Sequence, residues 1–266
     1  MGIFDGVLIC SDWDGSLSRG SAYPGQEVCP ENREAIRYFQ QNGGLFTVSS
    51  GRYPSFILAF REQFFPNTAL IALNGSLIVD PESGEPLREQ ILDPSVFPYI
   101  DRVLDAFPYQ ANLLHYPVGA SHATTYSREE YRKKKDAVAG APCYKALLVT
   151  DTAEHGVLLR DTAREIIAGT QFEAARSWPI GLEFINRASN KGSAVRFLKE
   201  KTGAELLVTV GDYENDIPML EAADVGYAVA NATDDVKRAA DRVTHRSNAE
   251  GAVAEIIEDI EKIRRS

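Results

Sequence analysis

The sequence predicts an α/β fold: a parallel-sheet core interrupted by an inserted α+β module. Three observations carry that prediction. In the first third of the chain, short apolar runs that end in turn residues alternate with helical patterns. After Val79 the alternation gives way to strand-like runs that come in pairs between helices. Near Asn190 the first rhythm returns and lasts to the C-terminus. Strand–helix alternation is the pattern of a parallel sheet with right-handed crossovers.

The elements follow in order. Val7-Leu8-Ile9-Cys10 closes in Ser11-Asp12-Trp13-Asp14-Gly15, as a strand buried on both faces does. Pro30-Glu31 opens a helix with Ala35, Ile36 and Phe39 on one side, and Gly43-Gly44 closes it. Leu45–Val48 reads as a second buried strand ending in Ser49-Ser50-Gly51-Arg52, and a helix is expected from Pro54 to about Phe64. Ala69–Leu73 reads as a third strand of the same sheet, ending in Asn74-Gly75. Asp80-Pro81-Glu82-Ser83-Gly84 is a turn. Beyond it, helices are expected near Ser95–Ala106 and Ala153–Ala168, with strands at Ala111–Tyr116, Tyr144–Thr150, Phe172–Arg176 and Gly181–Ile185. The run Arg132-Lys133-Lys134-Lys135 after Glu129-Glu130 reads as a solvated helix face. The last stretch offers a helix from Asn190-Lys191-Gly192 to about Thr202, a strand Leu206–Val210 and a helix Ile217–Ala222. A strand at Val225–Val229 and helices at Asp234–Ala239 and Ala249–Ile263 complete it. The division expected is a core of residues 1–83 and 187–266 with an insertion at 84–186.

Composition narrows the function. With 44% hydrophobic and 25% charged residues, the chain is neither disordered, nor collagen-like, nor a coiled coil. A net charge of −10, from 28 basic against 38 acidic residues, repels phosphate backbones and argues against nucleic acid. It is compatible with a small anionic substrate, because a pocket can be positive on a negative protein. Cys10, Cys29 and Cys143 are odd in number and not at metal-ligand spacing, so reduced thiols in a cytoplasmic protein are expected. The N-terminal sequence lacks a basic segment followed by a long apolar one, so no signal peptide is expected. No apolar run approaches the roughly 18 residues of a membrane span.

The chemistry gathers at the strand ends, where open parallel sheets form their sites. The first strand delivers Asp12 and Asp14, the second Ser50, and a late strand Asp212 followed by Asn215 and Asp216. A helix N-terminus presents Lys191. Any one of these aspartates could be a turn or helix cap. Four carboxylates in one crevice, however, repel one another unless a cation intervenes. A hard, oxygen-seeking divalent ion answers that need, which points to Mg2+. The lysine then calls for a phosphoryl group.

The set Asp12-Trp13-Asp14-Gly15-Ser16, Ser50-Gly51-Arg52, Asn190-Lys191-Gly192 and Gly211-Asp212-Tyr213-Glu214-Asn215-Asp216 resembles the haloacid dehalogenase (HAD) superfamily. More narrowly it is similar to the Cof-type phosphatases, class IIB, whose Rossmann-like core carries a large α+β cap. Asn74-Gly75, Met219–Ala223, Ala228-Val229-Ala230-Asn231-Ala232 and Ala240-Asp241 fit as well. Ser16 and Ser50 stand where threonine is common; both keep the hydroxyl.

The resemblance implies a magnesium-dependent phosphatase acting on small phosphomonoesters. Sugar phosphates come first, then pyridoxal phosphate or a flavin-precursor phosphate. It implies that Asp12 is the nucleophile, forming an aspartyl-phosphate. Asp14 is implied as general acid and base, with its backbone carbonyl on the metal. Ser50 would bind a phosphoryl oxygen, and Lys191 would neutralise charge on Asp12 and the phosphoryl group. Asp212 and Asp216 would hold Mg2+, and Asn215 would orient Asp216 or touch the phosphoryl. Gly15 would let backbone N–H groups approach the phosphate. Gly51, Arg52 and Asn74 are further candidates for substrate contact. The inserted segment would set leaving-group preference and close over the site, with candidates around His115–His122 and Arg176–Gly181. The chain is expected to be a monomer or homodimer. A phosphomutase on the same core, or a non-catalytic phosphate-binding or signalling protein, are the alternatives. The presence of both Asp12 and Asp14 speaks against the second.

Overall fold

The computed structural model describes residues 2–19 and 27–265. The first stretch holds β1 (Val7–Ser11), α1 (Pro30–Gln41), β2 (Leu45–Val48), α2 (Pro54–Leu58), α3 (Arg61–Phe64), β3 (Leu70–Ala72), β4 (Leu77–Val79) and β5 (Pro86–Glu89). Then come α4 (Phe97–Ala106), β6 (Asn112–Pro117), β7 (Thr124–Tyr126), α5 (Arg128–Gly140), β8 (Cys143–Val149), α6 (Ala153–Ile166), β9 (Phe172–Trp178) and β10 (Gly181–Asn186). The last stretch holds α7 (Lys191–Thr202), β11 (Leu206–Gly211), α8 (Ile217–Ala222), β12 (Val225–Ala228), α9 (Asp234–Ala239), β13 (Arg242–Val243) and α10 (Ala252–Arg265). Two compact units result, one of residues 1–88 and 191–266 and one of residues 89–190. The chain passes between them at Arg88/Glu89 and Asn190/Lys191, a few residues beyond the bounds expected from sequence. The cause at the first crossing is β5, which extends the β3-β4-β5 sheet of the first unit through Arg88.

The first unit is built on a five-stranded parallel sheet in the order β13-β12-β11-β1-β2. All five residues of β1 are buried, as its unbroken apolar sequence requires. On one face Leu8 and Cys10 join Ala194, Val195, Leu198, Leu207 and Met219 in a single apolar cluster. Ser11 is level with Val48 on one side and with Val210 on the other. The residues that follow these strands therefore emerge at the same edge.

Three expectations need correction. The segment at Ala69–Leu73 is not a further strand of that sheet. β3 pairs antiparallel with β4 in a separate three-stranded sheet and touches the β2 strand through a lone parallel bridge, Ser49 to Ile71. Along this edge the Thr47 hydroxyl donates to the Ala69 carbonyl at 2.8 Å and the Ser50 N–H to the Ile71 carbonyl at 2.9 Å. The helix expected from Pro54 to Phe64 is two short helices, broken at Ala59-Phe60. The break brings both Phe60 and Phe64 against Trp13, at 5.4 and 5.5 Å between ring centroids. The last helix begins at Ala252, not Ala249, because Ser247 and Glu250 close a turn and Gly251 adopts a φ of +93°.

The second unit is an antiparallel sheet in the order β7-β6-β8-β10-β9. Its core joins Phe97, Ile100 and Leu104 of α4, Tyr131 of α5 and Leu159 of α6 to Leu113, Leu148 and Phe184 of the strands. Ser127 and Glu130 form a capping box at the start of α5, so the basic run Arg132–Lys135 lies on a well-started helix with Tyr131 and Val138 turned inward. His115 is 2% exposed and bonds the Ala141 carbonyl. It is one of the histidines that the sequence reads as ordinary surface or core residues, and it lies in the core beside the Phe97 ring. Among the described residues, no helix is long and apolar enough to cross a membrane. All three cysteines are free and buried, and burial pushes the Cys143 thiol up to about 12.

Candidate active site

The site is assembled from the loops that follow β1, β2 and β11 and from the first turn of α7. The Asp12 N–H bonds the Val210 carbonyl at 2.8 Å, which carries the β1–β11 pairing one residue past the strand. Lys191, the first residue of α7, is fully buried. Its Nζ donates to Asp12 Oδ1 at 2.5 Å and to Asp216 Oδ1 at 2.6 Å. The other Asp216 oxygen accepts from the backbone N–H groups of Asp212 and Tyr213 at 3.0 and 3.1 Å. Asp216 thus folds its own loop and holds the lysine at once. A Cβ at Gly211 would lie 2.5 Å from the Asp216 Cβ, so this loop closes only over glycine.

Asp212 receives the Ser16 hydroxyl on Oδ1 at 2.7 Å. Gly15, at a φ of +88°, lies so close that a Cβ would reach within 2.4 Å of Asp212 Oδ2. Carboxylate oxygens of Asp12, Asp212 and Asp216 all lie within 4.8 Å of one another. Three acids therefore face one ammonium. Burial, and after it the charge of Asp216, pushes the Asp12 carboxyl well above the usual range; Lys191 opposes this, and Asp212 and Asp14 add to it. Asp212 is pushed up to about 7 by burial and Asp216, with the Ser16 hydroxyl and Lys191 opposing. Burial disfavours charge on Lys191, but Asp12 and Asp216 outweigh it and hold the ammonium above its ordinary value. An all-oxygen cluster with an excess of acid suits a hard divalent cation, which favours ionised acids.

The Asp14 carboxylate is engaged elsewhere. Arg52 grips it with two parallel bonds, Nε to Oδ2 at 3.0 Å and Nη2 to Oδ1 at 3.1 Å, and its guanidinium lies over the Phe56 ring. The cluster of three therefore excludes the Asp14 side chain; the part expected of Asp14 toward metal was its backbone carbonyl. Ser50 is fully buried, and its hydroxyl accepts from the Arg52 N–H at 3.2 Å. Leu73, Asn74 and Gly75 take positive φ in succession, at 51°, 58° and 97°. Non-glycine residues there are strained by roughly 1–3 kcal/mol each. The strained turn is pinned to the Ser50–Arg52 loop by Asn74 N–H to Ser50 O at 2.9 Å and Leu73 N–H to Arg52 O at 3.1 Å. Asn74 also accepts from Asn215 Nδ2 at 3.3 Å. Gly51 lies on the same loop and is half-buried.

Two residues of this neighbourhood had no place among the expected site residues. Ser16 was seen as part of a motif, without a role. Asn231 follows β12, and its Nδ2 bonds the Gly15 carbonyl at 2.8 Å. Its position just beyond a core strand was the available signal.

Known proteins resemble this chain over nearly its whole length. The model of the haloacid dehalogenase-like hydrolases matches residues 9–257. The 5-amino-6-(5-phospho-D-ribitylamino)uracil phosphatase YcsE of Bacillus subtilis is 27% identical over 257 residues, covering 94% of each chain. The crystal structure of a haloacid dehalogenase-like hydrolase from Bacteroides thetaiotaomicron is 26% identical with a TM-score of 0.69, covering 97% of this chain and 99% of that one. A sugar phosphatase of HAD subclass IIB, 17% identical, shares the fold with a TM-score of 0.73 over 95% of this chain and 98% of its own.

Proposed function

This chain belongs to the haloacid dehalogenase-like hydrolases and is a phosphatase, and from that premise we propose that it hydrolyses small phosphomonoesters, sugar phosphates first, through an aspartyl-phosphate on Asp12 with Mg2+ bound at the acidic cluster. The observation that carries the reading is the Lys191 ammonium set between Asp12 and Asp216 in a cluster that still holds an excess of buried acid. Such a site is poised for one cation and one phosphoryl group.

Asp12, Asp212 and Asp216, with the Asp14 carbonyl, would hold the metal. When bound, it supplies positive charge to the phosphoryl oxygens and keeps the carboxylates ionised. The Asp12 carboxylate attacks phosphorus, and the phosphorus–oxygen bond to the alcohol breaks. Asp14, both of whose oxygens Arg52 holds in the free protein, takes a proton as the ester binds and gives it to the departing alkoxide. Arg52 is the cation that meets the carboxylate so formed. A water then gives its proton back to Asp14 and attacks phosphorus. The bond to Asp12 breaks, releasing phosphate and restoring both acids. Lys191 meets the charge on Asp12 before attack and after release and that on the phosphoryl group in between, and the Ser50 hydroxyl donates to a phosphoryl oxygen. The Asn74–Asn215 pair fixes the loop that carries Ser50.

Core residues that handle phosphorus leave the alcohol unrecognised. The inserted unit, residues 84–186 in the sequence reading, is the proposed source of leaving-group preference. Substitutions there should change kcat/KM by different factors among esters and least for acetyl phosphate.

The test is turnover of a panel of phosphometabolites with and without Mg2+, together with acid quenching of the enzyme on labelled substrate. Label on Asp12 and loss of turnover in excess chelator are expected. Full activity in chelator, or no labelled protein under single-turnover conditions, overturns the mechanism. Transfer of label to a second sugar instead of water would make the enzyme a phosphomutase.

A further inference from the structure

The carboxylates of the site come from two loops far apart in sequence, yet a divalent ion needs their oxygens fixed relative to one another. The β1–β11 ladder ends at Asp12 N–H to Val210 O. Past that point the loop of residues 12–16 and the loop that begins at Asp212 run on beyond the sheet. Lys191 bridges them through Asp12 and Asp216, and three further groups among the described residues tie them as well. The fully buried Ser16 donates its hydroxyl to Asp212 Oδ1 at 2.7 Å. Asn231 donates to the Gly15 carbonyl at 2.8 Å. The Thr233 N–H, from the same loop after β12, bonds the Asp212 carbonyl at 3.1 Å. One short loop thus holds both sides of the site.

Asn231 is itself fixed. Its Oδ1 accepts from the Asn248 N–H at 2.9 Å, and Asn248 Nδ2 donates to the Ser18 carbonyl at 2.6 Å. The chain of bonds therefore leaves the 12–16 loop at Gly15 and returns to the same segment at Ser18. It forms a brace across the base of the turn. Ser16 and Asn231 are neutral and lie outside the acidic cluster, so they add neither a charge nor a ligand to it. Through Asp212 and Gly15 they can set the spacing of the ligands.

We propose that Ser16 and Asn231 are positioning residues for the metal, acting through Asp212 and Gly15 to hold the two ligand loops in one register. The inference rests on the magnesium-dependent reading above. Outer groups of this kind typically govern metal affinity by about 10- to 100-fold.

The experiment measures Mn2+ binding to the substrate-free protein by the electron paramagnetic resonance signal of the free ion, beside the Mg2+ dependence of phosphatase activity. Ser16→Ala and Asn231→Ala should each raise the Mn2+ dissociation constant by about tenfold. The double variant should lose less than the product of the two, because both act on one turn. Ser16→Thr, which keeps the hydroxyl, should bind as the wild type does. The Mg2+ concentration for half-activation should rise in parallel, with KM for the ester unchanged at saturating Mg2+. Wild-type affinity in both single variants overturns the inference. So does equal weakening in Ser16→Thr and Ser16→Ala at unchanged melting temperature. Should Ser16→Ala fail to fold, Asn231→Ala, at an exposed position, decides alone. A wild type that binds no Mn2+ and hydrolyses no phosphate ester removes the functional reading itself, and this inference with it.

Discussion

Each of the two units buries a lysine in contact with acid, and the two lysines do different work. In the inserted unit, Lys145 donates to Glu183 at 2.9 Å, and both are nearly inaccessible, at 1% and 2% exposure. Glu183 also accepts the Ser177 hydroxyl at 2.5 Å, and the Lys145 ammonium lies 4.5 Å from the Tyr116 ring centroid. The ammonium here meets a carboxylate, and a hydroxyl and a ring lie against the pair. In the core, Lys191 meets Asp12 and Asp216 while Asp212 stands within the same cluster. The ammonium in the inserted unit meets a carboxylate at 2.9 Å, whereas that in the core meets two with a third beside them. Burial of a lysine–carboxylate pair is therefore no mark of a catalytic site; an uncompensated excess of buried acid is the better one.

The largest expected effect tests the acidic cluster. Asp12→Asn keeps the shape and removes the attacking oxyanion, so turnover should fall by at least about a thousandfold in steady-state assays. Retention of a tenth of wild-type activity would break the comparison at its catalytic end.

Next come the lysines themselves. Lys145→Met takes the ammonium away from the buried Glu183 carboxylate and should cost about 3–5 kcal/mol in urea denaturation. Lys145→Met combined with Glu183→Leu should recover most of that loss, because an apolar pair carries no desolvation cost. Lys191→Met has no such partner change to rescue it, since several carboxylates remain, and hydrolysis of acetyl phosphate should be abolished. If the double substitution at Lys145 and Glu183 keeps stability but selectively lowers kcat/KM for sugar phosphates, that pair belongs to recognition and the contrast fails.

A smaller effect is the pH dependence of the metal-free core. Asp12 and Asp212 have carboxyls raised in the folded state, Asp212 to about 7. Between the ordinary carboxylate value and that pH, the native state binds more protons than the unfolded chain. Stability without metal should therefore fall as pH rises through that window, and acidification from neutral pH should first stabilise. Saturating Mg2+ should flatten the slope, because it favours the ionised acids. Melting temperatures from pH 5 to 8, with chelator and with Mg2+, check this. A metal-free protein whose stability rises with pH across the window contradicts the charge excess.

The smallest effect probes the Lys145–Glu183 pair. Tyr116→Leu removes the ring beneath the buried Lys145 ammonium and should cost about 1–2 kcal/mol of stability. The Mg2+ requirement should stay where it was. A shift in that requirement would mean the two charged regions are coupled.

The candidate site was legible to different depths. Asp12, Ser50, Asp212 and Asp216 stood out in the turns that follow apolar runs and Lys191 at a helix N-terminus, and the number of acids called for a cation. Arg52 and Asn74 were visible as strand-end residues, but their partners were not. The grip of Arg52 on Asp14 and the bond of Asn215 to Asn74 join residues brought together only by folding. The Lys145–Glu183 pair left no trace, since each residue sits alone in an apolar strand.

By itself the sequence determined the alternation of strands and helices, the place of the insertion and the edge at which the acids gather. Those depend on apolar runs, turn residues and caps, all of which act between near neighbours in the chain. Only the tertiary structure decided that β3 leaves the parallel sheet, that Asp14 turns to Arg52, and that Ser16 and Asn231 brace Asp212 and Gly15. These are pairings between distant residues. Each hydrogen bond reaches about 3 Å, and no local pattern states which two loops will come within that distance.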